Sequence, residues 1–317
     1  VLAKKSNSGI AISLVLAVIF WGASNAATKY LVTTAWPPLW TGSTRLLCAG
    51  MLMLALLRWT RWLGEPSVLT PQDRGNLWLR GGLSLAVYMA VFNLALHLTS
   101  ASHVALYLGT SPIWALMWEE RPGFNLRSAR RYGAAALALT GVIVLFWPAL
   151  RSGTSRWLGE VLGIACSLTW AIYGIQCRIL GERLTGAEIG AHTLWQSGLI
   201  LAPLGLLEVC LAPDKGFLLS HAEFWRWDLV LSQVYCVFGG GVMAYALWNN
   251  ALRHWPTSRV FLFNNLIPLS TMTWSHFCLG ETVTSTFWVA ILWIVSGVVL
   301  GQANWQKVLG ARWLPAE

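Results

Sequence analysis

Ten apolar runs of about 20 residues follow one another along this chain, and the short connections between them carry most of its basic residues. A helix needs roughly 20 apolar residues to cross a hydrocarbon core of about 30 Å. In that medium each backbone N–H and C=O must find its partner inside the segment or in a closed barrel. The strand-and-turn alternation of a barrel is absent from this sequence. The runs therefore predict an all-α polytopic membrane protein with ten transmembrane helices. The spans fall at 10–32, 38–58, 77–97, 100–118, 130–147, 157–180, 187–210, 228–253, 257–279 and 282–304. Composition agrees, with 11% charged residues against roughly 25% in soluble proteins. The first run, behind Lys4 and Lys5, is too long for a signal peptide and reads as an uncleaved span.

The net charge of +9 does not point to nucleic acid, because the cations sit in short clusters between apolar runs. Their partner is the lipid bilayer. With the N-terminus in the cytoplasm, the cytoplasmic side holds sixteen Lys and Arg residues. The other side holds four: Arg151, Arg156, Lys215 and Arg226. By the positive-inside rule both termini are expected to be cytoplasmic. The six cysteines lie scattered in apolar runs without a CxxC, which argues against a disulfide framework or a zinc site. No metal or other cofactor is expected.

Residues 87–112 recur at 243–268, an offset of 156 (243 minus 87), without a gap. Identical pairs include Asn93/Asn249, Ser102/Ser258 and Pro112/Pro268, and Gly141/Gly297 keep the same offset. Trp21/Trp170 and Lys29/Arg178 pair spans one and six at 149 (170 minus 21). The chain is thus expected to hold two five-helix repeats, residues 1–150 and 151–317. An odd number of spans per repeat inverts the second against the first, as in many secondary transporters.

The Trp21-Gly22-Ala23-Ser24-Asn25 stretch, the two prolines Pro112 and Pro268, and Leu279-Gly280-Glu281 before the last span carry a resemblance. With the ten-span repeat plan, the chain resembles the drug/metabolite transporter superfamily, of the EamA type, and most of all its bacterial aromatic amino acid exporters. That resemblance implies a bacterial inner-membrane carrier and supplies the substrate class. One departure is that the offset partner of Glu281 is Asn125, while Glu119 and Glu120 come earlier.

Polar and aromatic stripes at helical spacing mark the candidate cavity. Span one places Trp21, Asn25 and Thr28 on one face, and span six places Trp170, Tyr173 and Cys177 on the matching one. Span four carries His103, Tyr107, Thr110/Ser111 and Trp114. Span three adds Tyr88 and Asn93, span eight Tyr245, Asn249 and Asn250, and span nine Asn264 and Asn265. The substrate-binding set expected from these is Trp21, Asn25, Tyr88, His103, Tyr107, Trp114, Trp170, Tyr173, Tyr245, Asn249 and Asn264. Interhelical hydrogen bonding is the competing explanation for every polar member. Pro112, Gly240 and Pro268 are the expected hinges. Two cations lie within spans, Lys29 and Arg45. Lys29 is expected to snorkel, and Arg45 could meet a carboxylate or helix carbonyls. His103 and His192 are the remaining titratable candidates, since every Asp and Glu lies near a span end.

These features describe a carrier rather than an enzyme, exporting a small neutral or zwitterionic metabolite by alternating access, with no obligatory protein partner. Aromatic faces and amides suit an amino acid with an apolar side chain. A flat organic cation held by cation–π contact is the alternative. A channel does not need two exchangeable halves, and a sugar-phosphate site needs more converging cations than Lys29 and Arg45. An intramembrane transferase needs a metal-holding carboxylate pair, and only Glu119-Glu120 offers two adjacent acids. Without a mid-span acid, transport is expected to be facilitated diffusion.

Overall fold

The structure is a computed structural model that describes residues 7–60, 63, 66–98, 104, 107–119, 126–151, 157–211, 222–280 and 285–302. Among them stand ten principal helices. These are α1 (Asn7–Thr34), α2 (Pro38–Trp59), α3 (71–98), α4 (Ser111–Glu119), α5 (Leu126–Arg151), α6 (Trp157–Leu180), α7 (Gly186–Cys210), α8 (Trp227–His254), α9 (257–279) and α10 (Ser285–Gln302). Six of them, α1, α2, α3, α6, α7 and α8, are long and apolar enough to cross a membrane by length and composition. Large apolar side chains point outward: Ile12, Leu204, Leu207, Trp288 and Leu292 are all exposed. That surface suits lipid rather than water. The chain is a multi-pass membrane protein.

Helix α3 starts six residues before its apolar run, because its first turn is fixed by polar chemistry. Thr70 and Asp73 form a capping box, each side chain bonded to the other's backbone N–H. Thr185 and Glu188 do the same for α7. Helix α2 has no cap of its own, since its N-cap is Pro37. Glu208, in the last turn of α7, supplies one by accepting from Leu39 N at 2.8 Å and Trp40 N at 3.1 Å. A carboxylate at a helix N-terminus satisfies orphan donors and meets the positive end of the dipole.

Helices α2 and α7 pack with their backbones nearly touching. A Cβ on Gly50 would lie 2.1 Å from Trp195 N, and one on Gly198 would lie 2.4 Å from Leu47 N. Without a hydrophobic force between helices in lipid, such small residues are what permits close packing. Helices α5 and α10 repeat the device with Gly141 and Gly297. A Cβ on Gly141 would meet Ile294, and one on Gly297 would meet Ala138. Helix α3 packs on α6 and α1 on α8, while α4 and α9 meet each other. At the end of α4, Glu119 accepts from Ser258 Oγ at 2.5 Å and pairs with Arg131 at 3.2 Å, joining α4, α5 and α9.

Two helices widen to π geometry over part of their length. Helix α3 is π-helical over Leu77–Gly82, and α8 over Cys236–Met243, which contains Gly239, Gly240 and Gly241. Such wide turns often sit at functional positions. The expected hinge prolines sit differently from a kink inside a continuous helix. Pro112 is the second residue of Ser111–Glu119, and Thr110 N donates to Tyr107 O in a tight turn just before it. Pro268 is the second residue of Ile267–Leu279, after a 3-10 segment Leu262–Leu266. At that position the missing N–H costs nothing, so the break in each helix lies before the proline. Gly280 ends α9 with φ 69°, a left-handed cap for which glycine is the usual residue.

Candidate functional site

A cluster of aromatic rings closes the centre of the bundle. Trp170, from the middle of α6, is its hub. The indole packs edge-on to Trp21 (5.8 Å between centroids, 72°) and tilted over Tyr88 (4.7 Å). It also meets Tyr173 at 5.5 Å, Phe261 at 5.7 Å and Trp248 at 6.1 Å. Trp21 meets Trp248 at 4.9 Å and Tyr245 at 5.2 Å. The rings come from α1, α3, α6, α8 and α9, and all are buried. Offset and edge-to-face geometry suits the ring quadrupoles.

The cluster is anchored to the wide turn of α8. Trp21 Nε1 donates to Gly240 O at 2.9 Å. Gly240 must be small here, because a Cβ would lie 2.2 Å from Ser24 Oγ. Gly241 presses on Ala49 of α2 in the same way. The expected hinge is therefore also the point where α1, α2 and α8 converge.

Several buried polar atoms around the rings have no hydrogen-bond partner among the described residues. They are Trp170 Nε1, Trp248 Nε1, Ser24 Oγ and both amide atoms of Asn249. Buried polar groups are normally paired, and leaving one unpaired costs about 1–3 kcal/mol. These unpaired donors and acceptors lie among aromatic faces. Among the described residues no group of His, Cys, Asp and Glu could hold a metal.

The expected site residues divide. Trp21, Tyr88, Trp170, Tyr173 and Tyr245 come together in the cluster, with Tyr173 Oη also 3.3 Å from Thr193 Oγ1. Asn249 is fully buried on α8, one turn from Tyr245. Asn25 lies elsewhere: it is exposed, and its amide donates to Thr271 Oγ1 of α9 at 3.3 Å. The stripe Trp21–Asn25–Thr28 is thus split between α8 and α9. Tyr107 gives its hydroxyl to Glu160 at 2.6 Å, and Trp114 donates to Thr110 Oγ1 at 3.1 Å. Asn264 donates to Leu108 O and Ser111 Oγ, both at 3.3 Å, tying α9 to α4. His103 lies outside the described residues. Trp248 and Phe261 complete the cluster and are not in the sequence-derived set. Trp248 stands three residues after Tyr245 on the same face of α8, a spacing that could have found it.

The all-helical bundle and its apolar outer surface define a multi-pass membrane protein. The chain belongs to the EamA-like transporter family, whose model matches it over residues 8–147 and again over 157–301. It is 25% identical over 312 residues to an uncharacterized transporter of Archaeoglobus fulgidus, covering 94% of this chain and 99% of that one. It is 26% identical over 287 residues to the uncharacterized inner membrane transporter YedA of Escherichia coli, covering 89% and 87%. A probable amino-acid metabolite efflux pump of Escherichia coli K12 is 22% identical over 187 residues, 59% of this chain and 60% of the pump. A solved crystal structure shares the fold with a TM-score of 0.74 at 19% identity, covering 98% of this chain and 100% of that one.

Proposed function

We propose that this protein exports small zwitterionic metabolites, above all aromatic and other neutral amino acids, by alternating access at the inner membrane. The observation that carries the reading is the Trp170 cluster with unpartnered indole and amide groups beside it. Ring faces take the substrate side chain, and the polar atoms take its head. The amino-acid efflux pump among the relatives and the sequence resemblance to the aromatic amino acid exporter YddG support the same substrate class. An organic cation exporter is the alternative.

We also read the bundle as two inverted repeats of five helices, residues 1–150 and 151–317. Several contacts support this. Trp21 packs on its counterpart Trp170, and Asn264 bonds Leu108, which precedes it by 156 positions. Helix α2 packs on α7, α4 on α9 and α5 on α10, while α1 on α8 mirrors α6 on α3. The family model also matches each half once. With the termini cytoplasmic, a cysteine placed within 212–228 labels from outside intact cells, whereas one at 127–131 labels only after the cells are opened. The reverse pattern would overturn the orientation, which rests on the charge bias.

Purified protein in liposomes loaded with labelled phenylalanine tests the function. Saturable efflux with counterflow is expected. Non-saturable flux would indicate a channel, and flux of a flat cation but no amino acid would favour the alternative. A pH gradient alone is expected not to drive phenylalanine uphill. Glu160, Glu188 and Glu208 all lie in end turns, and His192 accepts from Trp195 Nε1 on α7 at 3.4 Å. Uphill accumulation abolished by His192→Gln, with exchange preserved, would show that histidine to be the coupling group.

A further inference from the structure

Arg45 sits two turns into α2 and is half-buried. One turn before it, Gly42 faces α3, where an added Cβ would meet Asn93 Nδ2 at 3.5 Å. One turn after it, Ala49 touches Gly241 of α8. Residues at this spacing share a helix face, so Arg45 looks into the angle between α3 and α8. From there its guanidinium donates to Thr28 Oγ1 of α1 at 3.3 Å. Those three helices carry Tyr88, Tyr245 and Trp21.

No carboxylate pairs with Arg45 among the described residues. The acids nearest the spans are engaged elsewhere. Glu160 takes the Tyr107 hydroxyl, Glu188 the backbone of Thr185, and Glu208 the start of α2. Asp73 pairs with Arg183, Glu119 with Arg131 and Asp228 with Arg226. A guanidinium inside a span is costly unless a partner meets its charge and its planar donors. The ligand with the matching shape is a carboxylate, which guanidinium binds through two parallel hydrogen bonds.

We propose that Arg45 is the anchor for the substrate carboxylate, with the substrate ring seated against Trp21, Tyr88 and Tyr245. This rests on the amino-acid carrier reading above and sharpens it. The substrate must carry a free carboxylate, and a permanent organic cation is repelled. Arg45 then sets specificity rather than merely snorkelling.

The test compares phenylalanine with phenylalaninamide, which keeps ring and ammonium but lacks the carboxylate. Each competes with labelled phenylalanine counterflow in liposomes, for the unmodified protein, Arg45→Gln and Arg45→Lys. The unmodified protein is expected to prefer phenylalanine. Arg45→Gln should weaken phenylalanine by roughly ten- to a hundredfold, the scale of a charge-assisted pair, and leave the amide unchanged or tighter. Arg45→Lys should retain part of the preference, and it answers the question if the Gln variant does not fold. Equal loss for both compounds, or no loss for either, would overturn the anchor while leaving the carrier reading intact. Failure of the unmodified protein to move any amino acid would remove both.

Discussion

Gly50→Ala is expected to lower the thermal midpoint of the purified protein sharply, or to prevent its recovery as a single species in detergent. The added methyl would lie 2.1 Å from Trp195 N and 2.7 Å from Trp195 Cα. These are backbone atoms, which cannot rotate away as a side-chain tip can. Overpacking a well-filled interior by a methylene costs about 1–3 kcal/mol, and a main-chain collision belongs at or above that upper end. Gly198→Ala should behave alike, since its methyl would strike the backbone of Leu47 from the other helix. Gly133→Ala provides the contrast. It lies within α5 with nothing inside 4 Å of an added Cβ, so the better helix former should be neutral or stabilising by up to about 1 kcal/mol. Melting curves of the three variants decide the matter. If Gly50→Ala melts with Gly133→Ala, α2 and α7 do not approach as closely as described.

The α2–α7 contact also shows where the sequence was informative and where it was not. Run length located the spans well: α6 occupies the expected 157–180, and α2 ends one residue beyond its expected limit. Helix α3 began earlier than its apolar run because Thr70 and Asp73 start it with polar chemistry that hydropathy does not register. Pro112 and Pro268, expected inside continuous helices, instead stand second in their helical segments, after a tight turn and a 3-10 segment respectively, because spacing does not show where a helix restarts. Periodicity, however, names a face and not the neighbour that covers it. Asn25 shares a face with Trp21 in sequence yet bonds Thr271, while Trp21 turns to Gly240. The stripe on span four has the spacing of a cavity lining, and Tyr107 and Trp114 place their polar atoms on Glu160 and Thr110. An interhelical hydrogen bond and a substrate contact use the same residue types, so spacing alone cannot separate them. The wide turns in α3 and α8 had only their glycines as a signal.

Trp170→Ala should have the largest effect on transport of any ring substitution. Its indole is in contact with Trp21, Tyr88, Tyr173, Trp248 and Phe261. Each favourable aromatic pair is worth about 0.5–1.5 kcal/mol beyond its area. Removing the hub loosens every ring that would seat the substrate, so apparent affinity for phenylalanine is expected to fall by about tenfold or more. Emptying so large a buried site also costs about 3–5 kcal/mol of packing. Stability must therefore be separated from recognition, and Trp170→Phe serves that purpose. It keeps a ring in contact with Tyr88 while removing the unpartnered indole N–H. That variant should melt close to the unmodified protein and still lose affinity by about three- to tenfold. Trp114→Ala, whose indole bonds Thr110 outside the cluster, should leave affinity within about twofold. The readout is competition against labelled phenylalanine counterflow at matched amounts of folded protein. Should Trp170→Phe and Trp170→Ala both carry phenylalanine with unchanged affinity and rate, the aromatic cluster is a packing core and the substrate binds elsewhere in the bundle.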